Sequence, residues 1–409
     1  MTDELRIDGR RLSRRLADLA QMGALPGGGV CRLALTDADR AGRDLVVGWM
    51  RELGLAVIID ALGNAVGIRR GREDGPPVMM GSHIDTVRTG GPYDGNLGVL
   101  GALEVVSALN DAGVVTRRPL AVAFFTNEEG ARFQPDMMGS LVFTGALPLE
   151  QALATVGVDG AKVGDELARI GYAGTAPVGR PDVHAYVELH VEQGPVLDAE
   201  KLTIGVVEGV QGISWTEFTL TGQSNHAGTT PMRLRHDAGY VAAEIAVFAR
   251  RLARDLGGHQ VATVGALTLS PNLVNVIPNR ALFTVDLRNT DEARLAEAER
   301  RLFAFAEETA AAEGVKLARR SLARFQPVAF DPALVARVEG IARERGYPAR
   351  RLPSGAGHDA QILAAVCPAC MIFVPSVGGI SHNVEEFTAP EHVAAGADVL
   401  LRLVLELSR

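Results

Sequence analysis

The chain has 409 residues, with 49 acidic against 41 basic side chains, a net charge of -8, 47% hydrophobic and 22% charged residues. That apolar share can offset the ordering entropy of a globular fold, which excludes disorder as the main state, and the length exceeds the roughly 250–300 residues at which one core stops growing, so about two domains are expected. The acidic balance argues against a nucleic-acid partner, which needs a basic stripe to displace phosphate counterions, and three cysteines give no disulfide framework and suit a reducing cytoplasm.

The N-terminal stretch MTDELRIDGRRLSRRL alternates charge with leucine and has no apolar segment of a secretory signal. Residues 55–60 and 64–68 read as strands, and Val78-Met79-Met80 runs into Gly81-Ser82-His83 as another. A helix over 98–110 follows a glycine-rich turn and ends near Gly113. LAVAFFT, 120–126, is a continuous apolar run expected of a strand buried on both faces, and 185–191 is a further strand. From about Gly212 the pattern becomes strand (214–220), helix (236–256), strand (261–269), strand (281–287), helix (291–313) and strand (315–322). That β-α-β-β-α-β order is the ferredoxin-like split.

After Phe325 the helix–strand alternation resumes, with SGAGHDAQILAAV as loop plus helix and CMIFVP as a strand. The expectation is an α/β protein whose catalytic domain, 1–212 plus 326–409, holds an open, mostly parallel sheet, with a ferredoxin-like α+β domain, 213–325, inserted in it. Residues 361–384 carry no charge, but Pro368, Pro375, Gly378 and Gly379 prevent a membrane-spanning helix.

Metal-competent side chains stand just after predicted strands: His83 and Asp85 in GSHIDTV, Asp94 in GGPYDGNLG, Glu128 and Glu129 in FFTNEEG, and His190 in VELHVEQG. His382 follows in GGISHN. Open α/β sheets gather ligands at the carboxyl ends of their strands, so the topology brings these groups to one edge. A lone histidine there is more often a hydrogen-bonded surface residue; five such residues in one pattern are hard to explain by packing. Imidazole and carboxylate donors suit zinc, and also manganese or cobalt. Five ligands exceed one catalytic zinc and fit two ions about 3.5–4 Å apart sharing a carboxylate, for which Asp94 is the candidate.

Asp85, two residues after His83 on extended chain, lies on the same side and can orient its ring. Adjacent Glu128 and Glu129 point in opposite directions, so one can bind an ion while the other acts as general base on water. Cys367-Pro368-Ala369-Cys370 precedes a strand and reads as a pair of buried, inert thiols.

GSHIDTV, GGPYDGNLGV, FTNEEGARF, ELHVEQGPVL, SNHAGTTPM, LVNVIPN, DLRN, SGAGHDA and GGISHN occur in that order between about residues 80 and 385. Together they resemble the hydantoinase/carbamoylase amidases of the aminoacylase/carboxypeptidase-like dinuclear metallohydrolases. His190 in ELHVEQGP is the most diagnostic, since related peptidases and deacylases generally carry an acidic ligand there. Pro92 and Asn96, flanking Asp94, depart from the pattern.

The resemblance implies His83, Asp94 and His190 at one metal and Asp94, Glu129 and His382 at the other, zinc being the first choice. Glu128 becomes the general base. His226 stabilises an oxyanion, reaching the site of the partner subunit in a homodimer formed through the inserted lid domain. Asn275 and Arg288 grip the substrate carboxylate, with Gln193 and the backbone at Gly357 assisting. The implied reaction cleaves a linear amide in an N-carbamoyl amino acid or related ureido acid such as allantoate, releasing ammonia and CO₂. A dipeptidase or N-acyl-amino-acid deacylase on the same scaffold is the other enzymatic reading, and a catalytically silent metal-binding relative the third.

Overall fold

The computed structural model describes residues 4–179 and 181–409; the start of the charged N-terminal stretch, 1–3, and position 180 lie outside the described residues. The chain divides into two compact units, Met1–Glu208 with Phe330–Arg409, and Gly209–Ala329.

The larger unit is built on a mixed sheet. Its strands run in the order Ala56–Ile59, Ala65–Arg69, Leu120–Phe125, Val78–His83, Ala185–Val191, Ala369–Val374 and Ile204–Val210, and Ala349–Ser354 also pairs with the last of these. The four strands in the middle are parallel, with His83 opposite Phe125 and His190 opposite Phe373. Both flanks are antiparallel. The sheet is therefore mixed, with parallel pairing at its centre. The reason is burial: every residue of the four central strands is buried, and such strands need helices over both faces.

The helix Asn96–Asp111 covers one face and is buried from Asn96 to Leu109, apolar nearly all round. It packs on the strand Val78–His83 and against the C-terminal helix Pro390–Leu407. Each fully buried leucine or valine in that layer contributes about 1.5–3 kcal/mol, so the strand ends beneath it are held rigidly.

The uncharged 361–384 stretch folds as the end of the short helix Asp359–Leu363, the buried strand Ala369–Val374 and a turn at Val377–Gly379. Among the described residues no helix is long and apolar enough to cross a membrane.

The smaller unit carries an antiparallel sheet in the order Lys316–Phe325, Gly212–Thr221, Arg280–Asn289 and Val261–Thr263. Leu267–Ser270 also pairs with Arg280–Asn289, so the strand expected over 261–269 is broken into two pieces along one neighbour. Buried and partly exposed positions alternate along Arg280–Asn289, leaving one apolar face for the helices Ala238–Leu256 and Glu292–Glu313. Phe218 and Phe283 stack at the centre of that core, their ring centroids 5.1 Å apart.

Candidate metal centre

The parallel strands deliver the polar groups to one edge. His83 ends the strand Val78–His83, and His190 stands one residue before the end of Ala185–Val191. Glu128 and Glu129 follow Leu120–Phe125, Asp94 lies in the turn before the helix Asn96–Asp111, and His382 sits in the loop beyond Ala369–Val374.

Two triads form there, His83–Asp94–His190 and Asp94–Glu129–His382, each with ligand atoms within 4.8 Å of one another. The Asp94 carboxylate faces both. Its Oδ1 lies 3.2 Å from His190 Nε2 and 3.6 Å from His83 Nε2, and its Oδ2 lies 3.2 Å from His382 Nε2. Glu129 Oε2 stands 3.4 Å from the same His382 nitrogen. One carboxylate oxygen per triad is the arrangement a bridging ligand requires.

The ring orientations agree with that role. His83 Nδ1 lies 2.9 Å from the Asp85 carbonyl and His190 Nδ1 2.9 Å from the Val191 carbonyl. With each Nδ1 turned to a carbonyl, Nε2 faces the carboxylates, where it can donate a proton to them or, once deprotonated, offer a lone pair to a cation. Gly95 makes the approach possible: its φ is +66°, and a Cβ there would stand 2.4 Å from the His83 ring. Only glycine fits.

Asp85 acts differently from the sequence expectation. Its carboxylate is 4.0 Å from His83 Nδ1, and the backbone carbonyl, not the side chain, orients the ring. Its side chain instead accepts the Glu128 and Glu129 N–H groups at 3.2 and 3.3 Å. The two glutamates diverge from this anchored turn. Glu128 Oε2 lies 3.3 Å from His83 Nε2, while Glu129 points to His382 and also accepts the Val87 N–H.

Burial, reinforced by Asp94, pushes Glu129 up to about 8, and burial carries Glu128 well above the ordinary carboxylate range. Burial works the same way on Asp94, but hydrogen bonds from His190, His382 and His83 hold it well below its usual value. Its hydrogen bond to Asp94 raises His382 to about 9. Three imidazoles and three carboxylates thus crowd together, with His382 alone of the six largely open to solvent, and protons must be shared among them. Divalent cations fit this donor set, because they neutralise the carboxylates and use the imidazole lone pairs directly.

A small cavity of about 120 Å³ opens beside the triads, walled in part by Gln193, Gly357 and His358. Gln193 Nε2 donates to Asp94 Oδ2 at 2.9 Å, and the Gln193 N–H is held by Ser376 Oγ. His358 lies in SGAGHDA beside Gly357, and the motif alone does not mark it as a site residue. It is buried with Nε2 2.8 Å from Ser354 Oγ and its ring edge-on to His190, centroids 4.6 Å apart. A third group, Glu188–His190–His358, is also within ligand distance. Glu188, however, already accepts the Ser82 hydroxyl and the Ala360 N–H, so it supports the floor of the site.

Sequence reasoning also missed Arg32. Its buried guanidinium donates to the Ile84 carbonyl at 2.7 Å and to Asn96 Oδ1 at 2.6 Å, and Asn96 Nδ2 donates to the Asp94 carbonyl. Asn96, the departure from the family pattern, thus braces the bridging turn. No local signal marks a buried arginine 64 residues upstream of its acceptor.

The remaining expected residues lie in the smaller unit. His226 and Asn275 are neighbours: an isolated bridge joins His226 to Val276, and the Ala227 N–H donates to the Asn275 carbonyl. His226 Nδ1 accepts the Gly228 and Thr229 N–H groups, which leaves Nε2 as a donor. Arg288 sits near the end of Arg280–Asn289, ion-paired with Asp286 at 2.9 Å and above the Trp215 ring. In the larger unit Cys367 and Cys370 are buried and free, and burial raises the Cys367 thiol to about 11.

Residues 79–406 match the model of peptidase family M20/M25/M40. The chain is 46% identical to an N-carbamoyl-L-amino-acid amidohydrolase of Rhizobium meliloti over 402 residues, covering 98% of this chain and 97% of that one. It is 42% identical to the N-carbamoyl-L-amino acid amidohydrolase of Geobacillus stearothermophilus, with 98% and 99% covered. Among solved structures, a hydantoinase/carbamoylase family amidase from Burkholderia multivorans superposes with a TM-score of 0.97 at 49% identity, covering 99% of this chain and 98% of that one.

Proposed function

The chain belongs to peptidase family M20/M25/M40 and, within it, to the hydantoinase/carbamoylase amidases, and from that membership we propose that it hydrolyses N-carbamoyl-L-amino acids to ammonia, CO₂ and the free amino acid. The observation that carries this reading is the Asp94 carboxylate presenting one oxygen to each of two triads, with Glu128 beside them.

His83, Asp94 and His190 are assigned to one cation and Asp94, Glu129 and His382 to the other, with zinc proposed first and manganese or cobalt as the other fits. Two dications bound there would supply Lewis-acid polarisation of the scissile carbonyl. Glu128 takes a proton from the attacking water and delivers it to the departing ammonia nitrogen. The water oxygen adds to the carbamoyl carbon, the carbonyl oxygen takes up the negative charge, collapse of this adduct breaks the bond to the terminal nitrogen, and the resulting carbamate loses CO₂. Asp85 holds the backbone of the Glu128–Glu129 turn, so the base keeps its place through the cycle.

His226, with Nε2 free to donate, is assigned to the oxyanion, and Asn275 and Arg288 to the substrate carboxylate, for which a planar guanidinium is the matching partner. Gln193 and the Gly357 backbone, at the cavity beside the triads, are assigned an assisting role in substrate binding. A homodimer through the smaller unit is proposed, supported by the exposed Tyr240 and Val247 on the helix Ala238–Leu256. A cytoplasmic location suits three free cysteines.

The test is ammonia release by zinc- or manganese-loaded protein from N-carbamoyl-L-amino acids, N-carbamoyl-β-alanine and allantoate. Turnover of the first class is expected. Release of acetate from N-acetyl amino acids, or of amino acids from dipeptides, with no ammonia from any ureido acid, overturns the proposal.

A further inference from the structure

Glu386 belongs to neither triad, yet it touches the loops of both. It is only 4% exposed. Its Oε1 accepts the Tyr93 and Asp94 N–H groups at 3.0 and 3.1 Å, and its Oε2 accepts the Ser381 hydroxyl at 3.0 Å. Ser381 Oγ in turn lies 3.4 Å from Asp94 Oδ2. Gly91 shows how closely the parts fit: a Cβ at that position would stand 2.3 Å from the Glu386 Cβ. Both carboxylate oxygens are therefore engaged with amides and a hydroxyl, which is the environment of a support and not of a ligand.

The loop it holds needs support. His83 and His190 end buried strands, but the His382 side chain is 51% exposed and its φ is +53°. A non-glycine residue in left-handed backbone persists only where the surroundings fix it. We propose that Glu386 is the positioning residue of the Asp94–Glu129–His382 site, clasping the loop that carries His382 to the turn that carries Asp94. The inference rests on the two-cation reading above.

The experiment titrates metal-free, full-length protein with zinc against a chromophoric chelator. Wild type is expected to take up two zinc ions. Glu386→Ala should keep the first affinity and weaken the second by about 10–100-fold, the usual cost of losing a partner that orients a metal ligand. Glu386→Gln should restore the second site, because its amide oxygen still accepts both N–H groups and its amide group still meets Ser381. The exposed neighbour is the control, and Glu385→Gln should change neither affinity.

A second zinc as tight in Glu386→Ala as in wild type overturns the proposal. So does a Glu386→Gln protein as impaired as Glu386→Ala, since charge alone would then be responsible. If Glu386→Ala is not folded by circular dichroism, Ser381→Ala decides: a selectively weaker second zinc supports the clasp, and unchanged affinities reject it. Wild type that binds two zinc ions but releases no ammonia defeats the proposed reaction and leaves the clasp standing.

Discussion

The two triads that share Asp94 are built from different material. In the first, His83 and His190 are buried residues at the ends of parallel strands, with each ring fixed by a carbonyl one or two residues on. In the second, His382 comes from a loop, half exposed, with its Nε2 facing the side chains of Asp94, Glu129 and Gln193 at the cavity. One half of the centre is part of the sheet, and the other is assembled on it. Such a site can keep one cation as architecture and exchange the other more readily, because the exposed half costs less to open.

Four substitutions and one chemical treatment break or sharpen that contrast. The largest effect is expected at the base: Glu128→Gln should bind both cations yet lose about 10²–10⁴-fold in kcat, and a near-normal kcat by ammonia release rejects its role. Next come the histidines. His190→Ala should lose the inner cation and lower the melting temperature, whereas His382→Ala should lose only the outer one and melt as wild type does; metal analysis and calorimetry separate the two. Equal losses in both variants would erase the distinction.

Arg288 belongs to neither triad. Arg288→Ala should raise KM for N-carbamoyl amino acids by about 10–100-fold, equivalent to about 1.5–3 kcal/mol for a charge-assisted contact, with metal content unchanged. An unchanged KM removes it as the carboxylate anchor. Smallest of all is alkylation. Because burial raises the Cys367 thiol to about 11, the reactive thiolate is scarce below that pH and fills in only as pH climbs through it. Iodoacetamide at pH 8 should label Cys367 and Cys370 slowly and leave activity intact, as mass spectrometry would show.

What was legible in the sequence was local. His83, Asp94, Glu129, His190 and His382 stand out because each follows a strand that its own apolar run announces, and the strand topology then makes them converge. The two long helices of the smaller unit were visible for the same reason, through their periodicity. Partners brought together from distant segments were not visible. Glu386 meets Asp94 across 292 residues, and nothing in NVEEF distinguishes it from the exposed Glu385. The pairing direction of the sheet flanks is equally non-local, which is why the antiparallel pairs beside the four central parallel strands were not foreseen. Asp85 does meet the His83 ring, but through its carbonyl, because spacing places a residue on a side of the chain and does not decide whether carbonyl or carboxylate does the bonding. The helices Gly9–Ala20, Asp37–Glu52 and Pro332–Glu344 went unplaced, lying where charged and apolar residues mix.

Anomalous diffraction at the zinc edge, from crystals grown with zinc, tests the central claim most directly. Two peaks about 3.5–4 Å apart are expected astride Asp94, one against His83 and His190 and the other against Glu129 and His382. A single peak, or peaks remote from Asp94, would contradict a dinuclear centre and with it the amidase mechanism.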